Sequence, residues 1–315
     1  MGNFFKKKME VAHTPYYCRN MKTTDALALI QSVDPDVKCV TAVSQIATLW
    51  GGMGSIERLK YEIGEQGKTS SIIAKQIRCS NPRSFGDKRK AASYKVEASF
   101  YGSDACRELS ENRVCCQGLH THDNGNGSIT ILMTPLPNPS LHIMEGEVAK
   151  AAVRSVALLH AQFWGGLRSS RAVEKIGLAA QGTYWYLDTR PDEFEYMDGR
   201  SGISRKLKKA ARGIDRALKN HQYQTICHGD LKACNMAISD DPSFVTFVDF
   251  QYLGKACPAK DLAYLFVCGM DVADNFEEQQ EDDFLRLYID ELAKNGVGND
   301  PDAPLPTLAK LKDAL

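Results

Sequence analysis

A run of polar residues in the second half of the sequence combines a carboxylate, a lysine and an amide at close spacing. The run reads His228-Gly229-Asp230-Leu231-Lys232-Ala233-Cys234-Asn235, and a further carboxylate follows in Val248-Asp249-Phe250-Gln251. Phosphoryl transfer requires an acid that orients a hydroxyl, a cation that neutralises charge, and oxygen ligands for a divalent metal ion. The sequence therefore predicts phosphoryl transfer at this segment.

A predicted hairpin explains how the amide and the second carboxylate meet. Residues 235–239 and 244–250 are typical of two short strands, and Asp240-Asp241-Pro242-Ser243 between them is typical of a turn. If Ser239 faces Phe244, antiparallel pairing brings Asn235 beside Val248 and Asp249 at the open end of the hairpin. Two hard oxygen ligands with room for water suit Mg²⁺ carrying nucleotide phosphates. Asn235 and Asp249 are therefore the predicted metal ligands.

The remaining polar residues of the run have separate predicted roles. Asp230 precedes the amide in a loop, where it can accept the proton of an incoming hydroxyl or orient that hydroxyl. Lys232 can neutralise charge on the phosphoryl group in transfer. His228 is expected to support the loop. The alternative is a hairpin with polar ends that arose by chance, but His-x-Asp-x4-Asn and a downstream Asp-Phe fill separate roles in one mechanism, which favours function.

A glycine-rich turn near the start of the chain is a candidate phosphate cradle. Gly51-Gly52-Met53-Gly54-Ser55 lies between two predicted strands. Glycines let backbone N–H groups approach phosphates closely, so Gly52, Gly54 and Ser55 are candidate nucleotide contacts. An ordinary hairpin turn is the alternative interpretation.

A lysine and a glutamate downstream of that turn are further candidate nucleotide-binding residues. Lys75 shares a strand face with Ile73 and Ile77 by alternation, and a lysine on an apolar face is unusual unless it is paired. Glu97 follows on the next predicted helix. Together they fit an ion pair that holds the α- and β-phosphates, although each alone also fits a surface residue.

The order of these parts resembles the aminoglycoside phosphotransferase/choline kinase superfamily and, within it, the ecdysteroid-kinase-like (CHK kinase-like) family. Gly229 follows the loop histidine where protein kinases have arginine, and Gln251 follows Asp-Phe where they have glycine. The segments Leu158-Leu159-His160-Ala161-Gln162-Phe163-Trp164 and Cys257-Pro258-Ala259-Lys260-Asp261-Leu262-Ala263 also resemble segments of that family.

The resemblance implies a protein-kinase-like bilobal α+β fold, with an N-terminal lobe of five antiparallel strands and a helical C-terminal lobe. It implies ATP and Mg²⁺ as cofactors, and Asp230 as the catalytic base. Thr134 and Leu136 would belong to the hinge that binds adenine, around Pro135, which has no N–H. Asp261 would anchor the catalytic loop; the alternative is an ordinary helix N-cap, and one residue can fill both roles.

The predicted elements follow the same plan. Residues 1–36 are a tail and short helix, residues 37–136 the ATP-binding lobe, and residues 137–315 the lobe with the catalytic loop and substrate site. The predicted strands cover 39–49, 56–63, 70–77, 113–120 and 128–133, and the predicted helices cover 87–105, 145–164, 204–219, 260–270 and 277–295.

Composition narrows the class of protein. Lys and Arg total 39 and so do Asp and Glu, which argues against a general nucleic-acid binder. Ten cysteines without a Cys-x-x-Cys pair predict reduced thiols in a cytoplasmic protein, and no apolar run is long enough to span a membrane. The expected partner is a small molecule that carries a hydroxyl group.

Two segments of the second half bear on which molecule accepts the phosphoryl group, and each allows two interpretations. Residues 182–200 are rich in aromatic and acidic residues, which suits a cationic substrate or, alternatively, a segment that packs through its aromatic rings. The basic helix at 204–219 is interpreted as a solvated face, with a membrane or an acidic partner as the alternative.

Three functions compete. The first is a small-molecule kinase that phosphorylates a choline-like, aminoglycoside-like or steroid-like alcohol. The second is a catalytically inactive nucleotide-binding or scaffold protein with the same fold. A protein kinase is disfavoured because Asp-Phe-Gly and Ala-Pro-Glu are missing.

Overall fold

The computed structural model describes residues 21–64, 68–79, 82, 84–200, 202–270 and 278–315. The chain divides into two compact units, Met1–Arg78 and Cys79–Leu315. The predicted N-terminal tail, residues 1–20, lies outside the described residues. The functional division into lobes 37–136 and 137–315 stays a prediction.

The first unit is a helix followed by an antiparallel meander of three strands. Leu59 and Tyr61 of the middle strand are buried, as are Ile73 and Ile77 of the next, because alternate side chains point to one face of the sheet. The elements are α1 (Thr23–Gln31), β1 (Cys39–Thr48), β2 (Gly54–Ile63) and β3 (Lys68–Arg78).

The second unit begins with two helices and a hairpin, and here two predicted boundaries are wrong. The helix predicted for 87–105 ends at Tyr101 because Gly102 closes it, and Ser103 caps a separate helix by accepting from the Cys106 N–H. The strand predicted for 113–120 begins only at Gly118, since Arg113 adopts a left-handed φ of 63°. The elements are α2 (Phe85–Tyr101), α3 (Asp104–Glu111), β4 (Gly118–Asp123) and β5 (Ser128–Met133).

Seven further helices follow in the described part of the second unit. The helix Gly146–Gln162 is buried along much of its length, with Val156 and Leu159 fully enclosed, and it packs against the helix Glu278–Lys294. The predicted helix 260–270 is regular only to Tyr264 and continues as a π-type turn to Gly269. The helices are α4 (Gly146–Gln162), α5 (Gly166–Ala172), α6 (Pro191–Tyr196), α7 (Gly202–Lys219), α8 (Ala259–Tyr264), α9 (Glu278–Lys294) and α10 (Leu308–Lys312).

Four short strands frame the loop that holds the predicted catalytic residues. They form two antiparallel pairs, β6 with β9 and β7 with β8. Their bounds are β6 (Thr225–Cys227), β7 (Met236–Ile238), β8 (Val245–Phe247) and β9 (Gly254–Ala256). The loop at 228–235 runs from β6 to β7, so a strand fixes each of its ends.

The predicted fold class is confirmed: the protein is α+β, with a five-stranded antiparallel sheet and a helical region. Within the described parts of the chain, no helix combines the length and the apolar character needed to cross a bilayer.

Candidate functional site

The predicted hairpin has the predicted register. Met236 pairs with Phe247, and the Ser239 N–H donates to the Phe244 carbonyl over 3.1 Å. At the open end the Val248 N–H donates to the Asn235 carbonyl over 2.9 Å. The hairpin therefore places Asn235 beside the segment that carries Asp249.

Asp230 is buried and its carboxylate is held from three sides. Lys232 Nζ donates to Oδ2 over 2.9 Å and Asn235 Nδ2 donates to the same oxygen over 3.2 Å. The hydroxyl of Tyr264 donates to Oδ1 over 3.0 Å. These contacts fix the orientation of the carboxylate before any substrate arrives, which is what a positioned acid–base group requires.

Asn235 turns its amide nitrogen to the loop. Besides the carboxylate, its Nδ2 donates to the main-chain oxygen of Asp230 over 2.9 Å. Its Oδ1 has one weak contact, from the Cys234 thiol at 3.9 Å. Since the nitrogen is committed to Asp230, Oδ1 is the atom that Asn235 can offer to a cation.

Asp249 is held by the residue that distinguishes this chain from a protein kinase. Gln251 Nε2 donates to Asp249 Oδ1, and Gln251 Oε1 accepts from Ser93 Oγ over 3.2 Å. Asp249 itself adopts a left-handed φ of 69°. A non-glycine residue in this region carries strain that is often found at functional sites, and the adjacent β8 and Gln251 constrain it here.

The base of the loop is supported by Asp261, as the resemblance implied. Its Oδ2 accepts from the His228 N–H over 2.7 Å, and its Oδ1 accepts from the Gly229 N–H over 2.9 Å. His160 Nε2 donates to Oδ2 over 3.2 Å. Burial opposes ionisation, but these donors outweigh it and hold the pKa of Asp261 below its ordinary value. Asp261 is not the N-cap of α8, because Pro258 occupies that position.

This support is structural and not a metal site. Ligand atoms of His160, Cys227 and Asp261 lie within 4.8 Å of one another. However, both ring nitrogens of His160 are already engaged, since Nδ1 meets the Tyr288 hydroxyl at 2.7 Å and Nε2 meets Asp261. The cluster therefore orients the loop through hydrogen bonds.

His228 has the supporting role predicted for it. Its Nδ1 accepts from the Asp230 N–H over 3.3 Å, and its Nε2 donates to the Val248 carbonyl over 3.1 Å. Complete burial lowers the pKa of the ring, so it stays neutral. The ring thereby joins the loop to the strand that leads to Asp249.

Gly229 is required by the close approach of another segment. Its φ is 85°, and a Cβ atom there would lie 2.5 Å from the Thr183 Cα and 2.8 Å from the Tyr252 carbonyl oxygen. The next residue of that segment, Tyr184, donates its N–H to the Gly229 carbonyl over 2.9 Å. The aromatic segment at 182–200 thus begins directly on the loop at 228–235.

Lys232 and Tyr264 keep their protons beside Asp230. Burial lowers the pKa of Lys232, but the Asp230 carboxylate outweighs it, and the net shift is upward. Burial and the same carboxylate raise the pKa of the Tyr264 hydroxyl. Both groups are therefore donors at neutral pH, one of them charged.

The predicted residues of the first unit lie on its meander. Gly52 ends a short 3₁₀ turn, and Ser55 is buried in β2. Gly54 is needed for packing, because a Cβ there would lie 1.9 Å from the Gln76 carbonyl of β3. Lys75 is buried in β3 opposite Ile56. The glycine at 54 is thus explained by strand packing, and its expected phosphate contact stays a prediction.

The other predicted nucleotide residues lie in the second unit. Glu97 is buried in α2. Thr134 donates its N–H to the Gln117 carbonyl over 3.0 Å, so the Thr134 carbonyl is the group it can offer to adenine. Leu136 is partly exposed three residues beyond β5. The predicted pairing of Lys75 with Glu97 stays a prediction.

Three contacts were not predicted from the sequence. They are the hydrogen bond from Tyr264 to Asp230, the hydrogen bond from Gln251 to Asp249, and the approach of Thr183 to Gly229. A signal existed for Tyr264, since it lies three residues after Asp261 and so shares a helix face with it. Gln251 was noticed as a departure from protein kinases but without its role. Nothing in the sequence indicates that Thr183 contacts Gly229.

Comparison with known proteins identifies relatives of this fold. The sequence model of the family described as "Phosphotransferase enzyme family" (APH) matches residues 88–296. No curated protein sequence matches significantly. A macrolide 2'-phosphotransferase from Brachybacterium faecium has a similar structure, with a TM-score of 0.50 and 14% identity over 93% of this chain and 87% of that one.

Two further structures are more distantly similar. An aminoglycoside phosphotransferase from Streptomyces rimosus, solved with ADP and streptomycin, has a TM-score of 0.46 and 17% identity over 93% of this chain and 98% of that one. An ethanolamine kinase from Plasmodium vivax has a TM-score of 0.44 and 12% identity over 89% and 82% of the respective chains.

Proposed function

The chain belongs to the phosphotransferase enzyme (APH) family, and from that premise we propose that it transfers the γ-phosphoryl group of ATP to a hydroxyl group of a small molecule. The observation that carries the proposal is the buried Asp230 carboxylate, oriented by Lys232, Asn235 and Tyr264. A structural salt bridge would need only one of these donors.

In the proposed reaction Asp230 orients the acceptor hydroxyl and takes its proton. The acceptor oxygen forms a bond to the γ-phosphorus, the bond from that phosphorus to the β–γ bridging oxygen breaks, and ADP leaves. The ammonium of Lys232 lies 2.9 Å from Asp230 and offsets negative charge near the transferred group. Tyr264 and Asn235 keep the carboxylate aimed during the transfer.

Asn235 and Asp249 fit a magnesium ion. Asn235 has its amide nitrogen committed to Asp230 and its oxygen nearly free, and Asp249 supplies a carboxylate at the end of the same hairpin. Amide and carboxylate oxygens are the ligands that Mg²⁺ prefers. Bound there, the ion would neutralise charge on the nucleotide phosphates. Gln251 would orient the Asp249 ligand.

The nucleotide contacts complete the proposal. We assign Gly52, Gly54, Ser55, Lys75 and Glu97 to phosphate binding, as the order of motifs predicts. The carbonyl of Thr134 and the N–H of Leu136 are assigned to adenine. Membership of the ecdysteroid-kinase-like family within the larger family, and a cytoplasmic location consistent with nine free cysteines among the described residues, also belong to the proposal.

The aromatic segment beside the catalytic loop favours an acceptor without positive charge. The faces that would receive a cationic amine are covered by cations of the chain itself. The Arg190 Cζ lies 4.4 Å from the ring centre of Tyr184 and 4.2 Å from that of Trp185, and the Lys260 Nζ lies 5.2 Å from that of Tyr186. An arginine or lysine that already lies over an aromatic ring would repel a second cation, such as a substrate ammonium group, at that ring.

Two acids of the same segment are also engaged. Asp188 pairs with Lys219 over 2.9 Å, and Glu193 lies 3.8 Å from Arg190. The segment therefore packs through its aromatic rings, which is the second of the two sequence interpretations. We accordingly propose an uncharged, steroid-like or similar ring-containing alcohol as the acceptor, in place of a choline-like or aminoglycoside-like amine.

A matched pair of acceptors tests this proposal. ADP release with ATP and Mg²⁺ would be compared for choline and for its uncharged carbon isostere 3,3-dimethylbutan-1-ol, beside a sterol, an ecdysteroid and an aminoglycoside. We expect kcat/KM to be at least about tenfold higher for the uncharged member, the scale of one unfavourable charge contact. Faster turnover of choline or of the aminoglycoside would contradict the assignment of the acceptor.

ADP release separates the second candidate function, a nucleotide-binding scaffold, from the first. A nucleotide-binding scaffold would bind ATP and release no ADP with any acceptor. The missing N–H of Pro135 in the predicted hinge favours this candidate, whereas the full set of polar partners around Asp230 favours catalysis. Thermal stabilisation by ATP with Mg²⁺, measured beside ADP release, distinguishes an unsuitable acceptor from a protein that binds no nucleotide.

A further inference from the structure

Helix α7 presents its apolar stripe to solvent. Ile203, Leu207 and Ile214 are 61%, 44% and 48% exposed, and none of the helix's residues is buried. Spacings of four and seven residues place the three side chains on one face, with Ala210 and Ala217 between and beyond them. A surface helix of a globular protein normally turns such a stripe to the core, and this helix instead leaves it exposed.

A polar face about a third of a turn around the helix from the stripe holds the helix to the protein. Lys208 Nζ donates to the carbonyls of Glu195 and Met197 over 2.7 and 2.9 Å. Lys219 Nζ lies 2.9 Å from Asp188 and 2.7 Å from Asp215. Since these contacts fix the rotation of the helix about its axis, the apolar stripe is held outward.

The helix is also strongly basic. Its only acidic residue is Asp215, and this carboxylate is already paired with Lys219. The basic residues lie beside the apolar stripe and behind it, with the two anchoring lysines on one side and the others, all exposed, on the other side and on the opposite face. They are Arg205, Lys206, Lys208, Lys209, Arg212, Arg216 and Lys219.

We propose that α7 is a docking surface for an anionic lipid bilayer. An exposed aliphatic stripe flanked by lysines and arginines lies in the plane of a bilayer, with the stripe below the headgroups and the basic side chains reaching to the phosphates. Each basic residue near such a surface adds about 1 kcal/mol of attraction. The inference does not depend on the proposed reaction.

The chemistry of the helix favours lipid over two other occupants. A second copy of the chain would bring an equally basic helix against this one, which is repulsive. A protein groove is typically engaged through a few aromatic or arginine anchors near its centre. The stripe here has no aromatic residue and extends evenly from Ile203 to Ala217, as a bilayer requires.

Vesicle co-sedimentation of the full chain tests the proposal. Phosphatidylcholine vesicles with and without phosphatidylserine are the probes. We expect binding to the anionic vesicles only, and loss of binding at about 1 M salt, where the Debye length is about 3 Å. Lys206→Glu with Lys209→Glu and Arg216→Glu should weaken binding by on the order of a hundredfold, from about fivefold for each residue.

Matched substitutions elsewhere control for charge and for hydrophobicity. Arg168→Glu with Arg171→Glu and Lys175→Glu changes three exposed basic residues outside α7 and should leave binding within about twofold. Leu207→Ser with Ile214→Ser should weaken binding by about tenfold or more, and Leu167→Ser, at a comparably exposed leucine of α5, should not.

Three outcomes would overturn the proposal. The first is no binding to anionic vesicles at low salt. The second is binding that the α7 variants leave unchanged while Lys6→Glu with Lys7→Glu and Lys8→Glu abolishes it, which would assign the interaction to the N-terminal residues. The third is a dimer in light scattering that Leu207→Ser with Ile214→Ser dissociates, which would assign the stripe to a second copy.

Discussion

The side-chain amide of Asn235 donates twice to Asp230, over 2.9 Å to its main-chain oxygen and over 3.2 Å to its carboxylate. One residue thus fixes the position of the loop and the direction of the carboxylate. The same bonds leave Asn235 Oδ1 for a cation. These two hydrogen bonds therefore hold the proposed base, Asp230, and the proposed metal ligand, Asn235, in a fixed relative position.

Asn235→Asp tests this coupling. The substitution keeps an oxygen ligand but replaces the donor with a carboxylate beside Asp230, and like charges at this distance raise the pKa of one of them. We expect kcat to fall by about tenfold to hundredfold, and the acid limb of its pH profile to move to higher pH because one carboxylate now holds a proton.

Asn112→Asp, an exposed amide at the end of α3, is the control and should leave both kcat and its pH profile unchanged. An Asn235→Asp profile that superimposes on the wild-type profile would mean that the amide does not govern the carboxylate.

Gln251→Leu tests how Asp249 is oriented. The buried amide donates to Asp249 and accepts from Ser93, and leucine of similar volume removes both bonds. Loss of a residue that orients a metal ligand typically weakens metal affinity by about tenfold to hundredfold. We expect the Mg²⁺ concentration for half-maximal ADP release to rise by about tenfold or more.

Gln162→Leu, which removes a glutamine bonded to Glu108 away from the site, should leave the Mg²⁺ requirement unaltered. An equal rise in both variants would show that the effect is one of general stability.

Gly229→Ala and Gly213→Ala form a matched pair for stability. At Gly229 the φ of 85° and the 2.5 Å approach of Thr183 make an added methyl group unfavourable, by at least about 2 kcal/mol in the free energy of unfolding. At Gly213, inside α7, a Cβ meets nothing within 4 Å, so alanine should stabilise by about 0.5–1 kcal/mol.

Urea unfolding of the two variants measures both effects. The two changes in the free energy of unfolding should have opposite signs. A Gly229→Ala protein as stable as the wild type would mean that Thr183 does not restrict the side chain at position 229.

Asp261→Asn tests the support beneath the loop. Asparagine has one acceptor oxygen for three buried donors, so we expect a loss of about 2–4 kcal/mol in the free energy of unfolding at neutral pH. The folded pKa of Asp261 lies below its ordinary value, so its contribution is present above that value and is lost as the pH falls through the folded pKa.

The difference between wild type and Asp261→Asn should therefore shrink below about pH 4. Urea unfolding across this range gives the measurement, and a difference that is independent of pH would show that the ionised carboxylate is not what supports the loop.

The hairpin was predictable because a single tight turn fixes its register. Once Ser239 faces Phe244, the position of Asn235 follows from counting along two short strands. Lys75 was expected on an apolar strand face because it alternates with Ile73 and Ile77, and it is buried. Local spacing was sufficient in each of these cases.

Contacts between distant parts of the chain were not predictable. The rings at 184–186 could receive a substrate or the chain's own cations, and Arg89, which donates to the Tyr184 carbonyl, lies far from them in sequence. The end of α2 was mispredicted for a different reason. Ala105 continues the helical spacing of Tyr94 and Tyr101, but it belongs to the next helix, which Ser103 caps.

The most direct test of the central claim is phosphoryl transfer by Asp230→Asn, followed as ADP release with ATP, Mg²⁺ and the best acceptor found. Asparagine fits the same space but cannot take the acceptor's proton. We predict that turnover falls by about a hundredfold to ten-thousandfold, while thermal stabilisation by ATP is retained. Turnover within a fewfold of the wild type would contradict the assignment of Asp230 as the catalytic base.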